Sequence, residues 1–282
     1  MSTNLAPLIV CADDYGISPG VSRGIRELGE AGRLSATGAM TGMPHWPEAA
    51  AAFEPLLGRV AIGLHLTLTQ QTPLGPMPIL APQGKLPDPG PLTRLALRGR
   101  LPLDEIAAEL GRQLDAFEAH LGRPPDFIDG HHHSHQLPGV RELVLKAIAT
   151  RLAGHGVWLR DTWDRPASLL RRFSLEGAMY AAIGHGLHRR AAESGIAANR
   201  GFTGFYAFGK VAQGRAMPRM LTGAGATTML MVHPGHPDAE LAAVDSWVGP
   251  REDEWAYLMS DEFARLLAAR GLRVAQGAPF PG

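Results

Sequence analysis

The strongest constraint on this chain is one local pattern that recurs along it. A short apolar run ends in an ionisable residue, and a helix-forming stretch follows. "LIVCA" (Leu8 to Ala12) leads to Asp13 and Asp14 and then to "SPGVSRGIRELGEAG", where Ser18 can cap a helix, Pro19 can occupy its first position and Gly32 can end it. "SATGAM" reads as a short strand and "PEAAAAFEPLLG" as helix-forming; "RVAIGLHL" is a strand with Val60, Ile62 and Leu64 on one face and His65 at its end. Residues 103–122 give the clearest helix, because Ile106, Leu110, Leu114, Phe117 and Leu121 make one apolar stripe. "PDFID", "VWLR", "TTMLMVH" and "LRVA" are further strands, separated by helical stretches that include "VRELVLKAIATRLAGHG" and "EDEWAYLMSDEFARLLAARG", the latter read as one helix.

Alternation of this kind predicts an α/β fold with a largely parallel sheet. Neither GxGxxG nor GxxxxGK[ST] occurs, so the usual signal of a nucleotide-binding open sheet is missing. Of the two candidates at this length, a (β/α) barrel and an open doubly wound sheet, the pattern favours the barrel, irregular or with fewer than eight complete units. One domain over 1–282 is expected, with a Pro/Gly-rich excursion at about 71–103 and a stretch without clear pattern at about 165–225.

Composition excludes several classes. Lys plus Arg is 27 and Asp plus Glu is 27, which gives no basic excess for nucleic acid or an anionic membrane. The single cysteine, Cys11, permits no internal disulfide and reads as a small buried hydrophobe. The N-terminus lacks the pattern of a signal peptide, and no run of about 18 apolar residues suggests an integral membrane segment. A soluble cytoplasmic protein is expected, with a homodimer among the assemblies allowed.

The strand ends carry the chemistry. Asp13 and Asp14, His65, His131, Arg160 with Asp161, and His233 each stand just past a strand. Parallel α/β folds bind ligands where strands end at their C-termini. Two imidazoles and a carboxylate from separate strands can form a facial His/His/Asp metal site with open positions. In "DGHHHSHQLP", His131 is fixed by the strand before it. If the chain stays extended, His133 and His135 point the same way and His132 points away. Taken singly, each residue has a plainer reading: a turn or helix cap for the aspartates, a hydrogen-bonded core histidine for His65, a solvated loop for the histidine tract. His185 and His188 read as surface residues. Trp46, in "MPHWP", has the shape to stack on a ligand, although a structural place is the better expectation.

The stretches "LIVCADDYGIS", "AIGLHLTLT", "DFIDGHHHSHQLP", "LR" at 159–160 and "MVHPG" together resemble the YdjC-like family of ChbG-type carbohydrate deacetylases. They follow the family's order over most of the chain, with Tyr15 where related sequences carry Phe. The resemblance implies an irregular (β/α) barrel similar to polysaccharide deacetylases. It implies one divalent metal ion, Mg²⁺ or Zn²⁺, held by Asp14, His65 and His131, with Asp13 as catalytic base. By analogy with the wider deacetylase superfamily, His233 would be the general acid and Arg160 would orient Asp13. His133, His135 and Asp129 would stand behind the metal ligands or face substrate. The implied substrate is a small carbohydrate or a glycolipid bearing an N-acetyl amino sugar, such as a chitin disaccharide or the N-acetylglucosaminyl lipid of a hopanoid-biosynthesis branch.

On this reading a metal-activated water attacks the amide, and no Ser or Cys nucleophile is needed. For both aspartates to serve one site the chain must bend, which Gly16 would permit. A metal-dependent phosphoesterase, a non-catalytic metal-binding protein and a sugar-binding module are the alternatives.

Overall fold

The computed structural model describes residues 5–164 and 175–277. Among the described residues eight strands form the sheet: β1 (Ala6–Tyr15), β2 (Ala36–Ala39), β3 (Ala61–Leu66), β4 (Phe127–Gly130), β5 (Trp158–Leu159), β6 (Phe202–Thr203), β7 (Met229–Val232) and β8 (Leu272–Val274). All pair in parallel, in the order β5-β4-β3-β2-β1-β7-β6. The two ends of this path meet through the residues that lead into β6: Leu159 bridges to Ala198, and its N–H donates to Ala197 at 2.9 Å. β8 lies outside the ring and pairs only with the first residues of β1, from Ala6 to Leu8. The expected irregular barrel is therefore what forms.

Helices pack around this sheet: α1 (Pro19–Glu30), α2 (Trp46–Ala51), α3 (Pro89–Leu97), α4 (Leu103–Leu121), α5 (Val140–Ala149), α6 (Leu175–Glu193), α7 (Gln213–Met220), α8 (Ala239–Val244), α9 (Gly249–Met259) and α10 (Asp261–Ala269). Their ends follow local chemistry. Ser18 accepts a hydrogen bond from the Val21 N–H at the start of α1, and Gly122 closes α4 in the left-handed conformation. The stretch read as one helix over "EDEWAYLMSDEFARLLAARG" is two. Ser260 leaves helical geometry and caps α10 through the Phe263 N–H, a start signal inside an otherwise continuous pattern. The 71–103 excursion contains α3, which the sequence did not show; of the 165–225 region, residues 165–174 lie outside the described residues.

Two apolar clusters explain how the site is placed. The larger fills the space between sheet and helices and takes Leu8, Val10, Ala12, Ile62 and Leu64. The smaller takes Ile9, Cys11, Ala36, Ala61, Phe127, Trp158, Phe202, Met229 and Met231, one or two residues from each of seven strands. Only the barrel interior can join residues from so many strands. Side chains alternate along a strand, so the next inward position after each of these is fixed. After Cys11 it is Asp13; after Phe127, Asp129; after Trp158, Arg160; after Met231, His233. Ala61 and Gly63 are followed by His65. The ionisable residues thus form the top layer of a filled barrel.

Candidate active site

Asp13, in phase with Ile9 and Cys11, points inward without distortion. Asp14 would point outward by alternation. It reaches the same site because its own φ is +69°, in the left-handed region, and the pairing of β1 with β2 slips between Ala12 and Tyr15. The bend expected at Gly16 (φ +94°) exists, but the turn that aims Asp14 is made at Asp14 itself. A non-glycine residue there costs about 1 kcal/mol or more, and such strain concentrates at functional sites.

Asp14 Oδ1 lies 3.0 Å from His131 Nδ1 and 3.3 Å from His65 Nε2, and one ligand atom from each of the three residues lies within 4.8 Å of the others. All three side chains are buried. His65 is oriented from behind, because its Nδ1 is 2.7 Å from Asp129 Oδ1. That contact fixes the ring and leaves Nε2 facing Asp14, as metal-binding histidines commonly require. Gly38 on β2 makes the space for it: a Cβ there would stand 2.7 Å from His65 Nδ1 and 3.1 Å from Asp129 Oδ1. Burial opposes a charged His65, but Asp129 and Asp13 outweigh it and push its pKa up to about 10. The cluster is therefore rich in carboxylate and holds a place for a cation. The donor set fits a divalent metal.

Asp13 has a different partner. Arg160 Nη1 donates to its Oδ2 at 2.6 Å, Nη2 reaches its Oδ1, and Nη2 is also 2.6 Å from Asp129 Oδ2. Burial works against the Asp13 charge, yet the guanidinium prevails and holds the carboxyl below its ordinary range. Burial likewise opposes charge on Asp14, and Arg251 and His131 hold it well below. His233 Nε2 stands 3.9 Å from Asp13 Oδ2, and burial lowers its pKa despite the nearby aspartates.

The histidine tract departs from the extended chain assumed for it. Residues 131–136 form a 3₁₀ turn in which His132 (φ +51°) and His133 (φ +55°) are left-handed. His132 accordingly does not point away: it lines the cavity over the site, its Nδ1 lies 2.8 Å from Thr69 Oγ1, and its ring sits 3.9 Å from that of His131. His133 also lines the cavity, among the rings of Tyr180, Phe202 and Phe205. His135 does not line the cavity; it is fully buried, with Nε2 3.0 Å from the Arg160 carbonyl oxygen, and so braces the chain just past β5.

Three other residues singled out in the sequence find their places. Cys11 is buried as expected, but its Sγ also accepts from Arg160 Nη2 at 3.2 Å. His188 is not a free surface residue: its Nδ1 is 2.5 Å from Asp161 Oδ2 and it stacks on Trp163. Trp46 takes the structural place, 2% exposed, with Nε1 donating to the Ala116 carbonyl at 3.0 Å.

The cavity encloses about 620 Å³. Several of its residues gave no strand-end signal. Arg251 is 1% exposed and donates to Asp14 Oδ2 at 2.7 Å and to Asp245 Oδ2 at 2.5 Å. It stands in the first turn of α9, where a cation opposes the helix dipole. That misplacement was the available signal that a carboxylate partner holds it. Glu254, buried on the same helix, accepts from the His233 backbone N–H and the Tyr206 hydroxyl; burial raises its pKa to about 7.

A family model described as YdjC-like protein matches residues 7–269. A chitooligosaccharide deacetylase of Enterobacter sp. (strain 638) is 41% identical over 144 residues, 51% of this chain and 56% of that protein. One from Serratia marcescens is 44% identical over 141 residues, 49% of this chain and 53% of its own length. The matched segment thus spans about half the length of these relatives. The crystal structure of an Enterococcus faecalis V583 protein, provisionally described as a cellobiose-phosphate cleavage protein, shares the fold with a TM-score of 0.72. It is 23% identical and covers 96% of this chain and 97% of its own.

Proposed function

On the premise that the chain belongs to the YdjC-like family, we propose that it is a metal-dependent hydrolase that removes the acetyl group from an N-acetylated amino sugar. The observation that carries this reading is the Asp14, His65 and His131 cluster beside an Arg160-held Asp13 on the floor of one cavity. The name of the curated relatives supports a chito-oligosaccharide or similar N-acetylglucosaminyl substrate. Among the described residues no helix is long and apolar enough to cross a membrane.

Asp14, His65 and His131 would hold the metal. Two imidazoles and a carboxylate favour Zn²⁺ over Mg²⁺. A bound divalent ion would lower the pKa of a water and polarise the acetyl carbonyl. Asp13 accepts the water's proton at Oδ2. Because Arg160 holds Asp13 below its ordinary range, that proton is weakly kept, and His233 Nε2 is the neighbouring acceptor. His233 then returns a proton to the leaving nitrogen. Overall the amide C–N bond breaks, a C–O bond forms, and acetate and the free amine result.

The phosphoesterase alternative is weaker on this geometry. A second metal needs further ligands, and among the described residues neither His133 nor His135 falls in a group of three possible ligands. His135 is committed to a backbone carbonyl, while the other candidate cluster, Cys11, Asp13 and Asp129, already surrounds Arg160. Paired substitutions test the assignment. Asp14→Asn is expected to weaken metal binding, with activity partly restored by excess metal. Asp13→Asn is expected to keep the metal and lose kcat by about 10²–10⁴-fold. Metal loss in Asp13→Asn but not in Asp14→Asn would reverse the roles.

A further inference from the structure

The floor of the cavity accounts for amide cleavage but not for how a sugar ring is held. One wall has the chemistry for that. Trp247, in the loop between α8 and α9, is 41% exposed, and its ring lies 4.9 Å from that of Phe208. Both rings stand over His233, at 5.5 and 5.7 Å. A large exposed indole on a ligand cavity needs a reason, since apolar area of this kind is usually covered when the protein works.

The loop is tied to the catalytic floor by one side chain. The Trp247 N–H donates to Asp245 Oδ1 at 2.8 Å, and the Trp247 carbonyl accepts from Arg251 Nε at 3.0 Å. Arg251 Nη2 bonds Asp245 Oδ2 and, at 2.7 Å, Asp14 Oδ2. The buried guanidinium therefore spans from the Trp247 backbone to the carboxylate at the centre of the cluster. It leaves Asp14 Oδ1 free to face His65 and His131. Arginine suits this task because its planar fork fixes several acceptors in one geometry, which a lysine cannot do.

A pyranose ring presents apolar C–H faces rimmed by hydroxyls. An aromatic plane matches the face, while Asp245 and Ser246, on the same loop and also lining the cavity, offer polar groups to the rim. One indole and one phenyl ring, flanked by polar groups, make a poor bed for an acyl chain. We infer that Trp247 and Phe208 form a subsite on which a pyranose ring of the substrate stacks, and that Arg251 positions this subsite against Asp14. The inference rests on the amino-sugar reading above.

The test uses the full chain and an N-acetylated chito-oligosaccharide. Trp247→Ala is expected to lower kcat/KM at least about tenfold, carried mainly by KM, and Trp247→Phe to recover most of the loss. Metal affinity, measured by calorimetry, should not change in either variant. Quenching of tryptophan fluorescence by the deacetylated disaccharide should be lost in Trp247→Ala, which reads binding without turnover. Arg251→Lys keeps a charge for Asp14 but cannot span to the loop. It should raise KM as Trp247→Ala does while retaining metal. Unchanged KM and unchanged quenching in Trp247→Ala, with an active wild type, would overturn the subsite alone. Loss of metal in Arg251→Lys with unchanged KM would overturn the positioning role. A wild type that cleaves no N-acetyl sugar would overturn the amino-sugar reading, and this inference with it.

Discussion

Gly38→Ala is the most demanding substitution for the orientation of the metal cluster, because it touches no ligand's own chemistry. The added Cβ would lie 2.7 Å from His65 Nδ1, against an ordinary contact of 3.4 Å or more, so the imidazole must move by about 0.7 Å. It cannot swing aside as a flexible chain end would, since His65 is 1% exposed and Asp129 0%. Moving it stretches the 2.7 Å contact with Asp129 to as much as about 3.4 Å, which weakens it steeply. Lost support of this kind lowers metal affinity by about 10–100-fold. In an unstrained strand the same change would instead stabilise by roughly 0.5–1 kcal/mol. Calorimetric titration of metal-stripped protein with Zn²⁺ and Mg²⁺ measures the effect, and the melting temperature in chelator separates it from general unfolding. An affinity within twofold of wild type would refute the reasoning, and so would a loss fully explained by a collapsed melting temperature in chelator.

Glu254 predicts a pH dependence of stability. Its folded pKa of about 7 lies above the ordinary 4.5, so stability is fully present below about pH 4.5 and is lost as pH rises through 7, by roughly 3 kcal/mol; Glu254→Gln should flatten that slope between pH 5 and 8 in urea unfolding, and an unchanged slope would count against the buried carboxyl as its source. Trp46→Ala should cost about 3–5 kcal/mol and lower the melting temperature by roughly 10 °C while metal affinity is kept, because the indole packs on Phe53 and Phe117 and not on the cavity; a metal defect without a stability loss would contradict this.

The parts of the site that lie on strands were legible in the sequence. Asp13, His65, Arg160 and His233 each follow an apolar run directly, His131 follows the strand Phe127–Gly130, and the inward phase of each strand carries the side chain to the barrel mouth. What the sequence did not show depends on departures from regular geometry. The left-handed conformations of Asp14, His132 and His133 leave no mark in the pattern, so the assumed extended chain sent His132 the wrong way. His135 carries the same side chain as its neighbours, yet it braces a backbone carbonyl. Arg251, Asp245 and Trp247 come from a helix start and a loop, where period and burial give no direction. The split at Ser260 shows the same limit, since an apolar period can run on across a cap.

The central claim is that this cavity hydrolyses the acetamido group of an amino sugar with the help of a divalent ion. The measurement that meets it most directly is simultaneous assay of acetate and free amine from an N-acetylated chito-oligosaccharide, with and without chelator. Equal release of both products, abolished by chelator and restored by added divalent metal, is the predicted result. Release that persists undiminished after exhaustive chelation, or no release from any N-acetyl amino sugar by metal-loaded protein, would contradict the account.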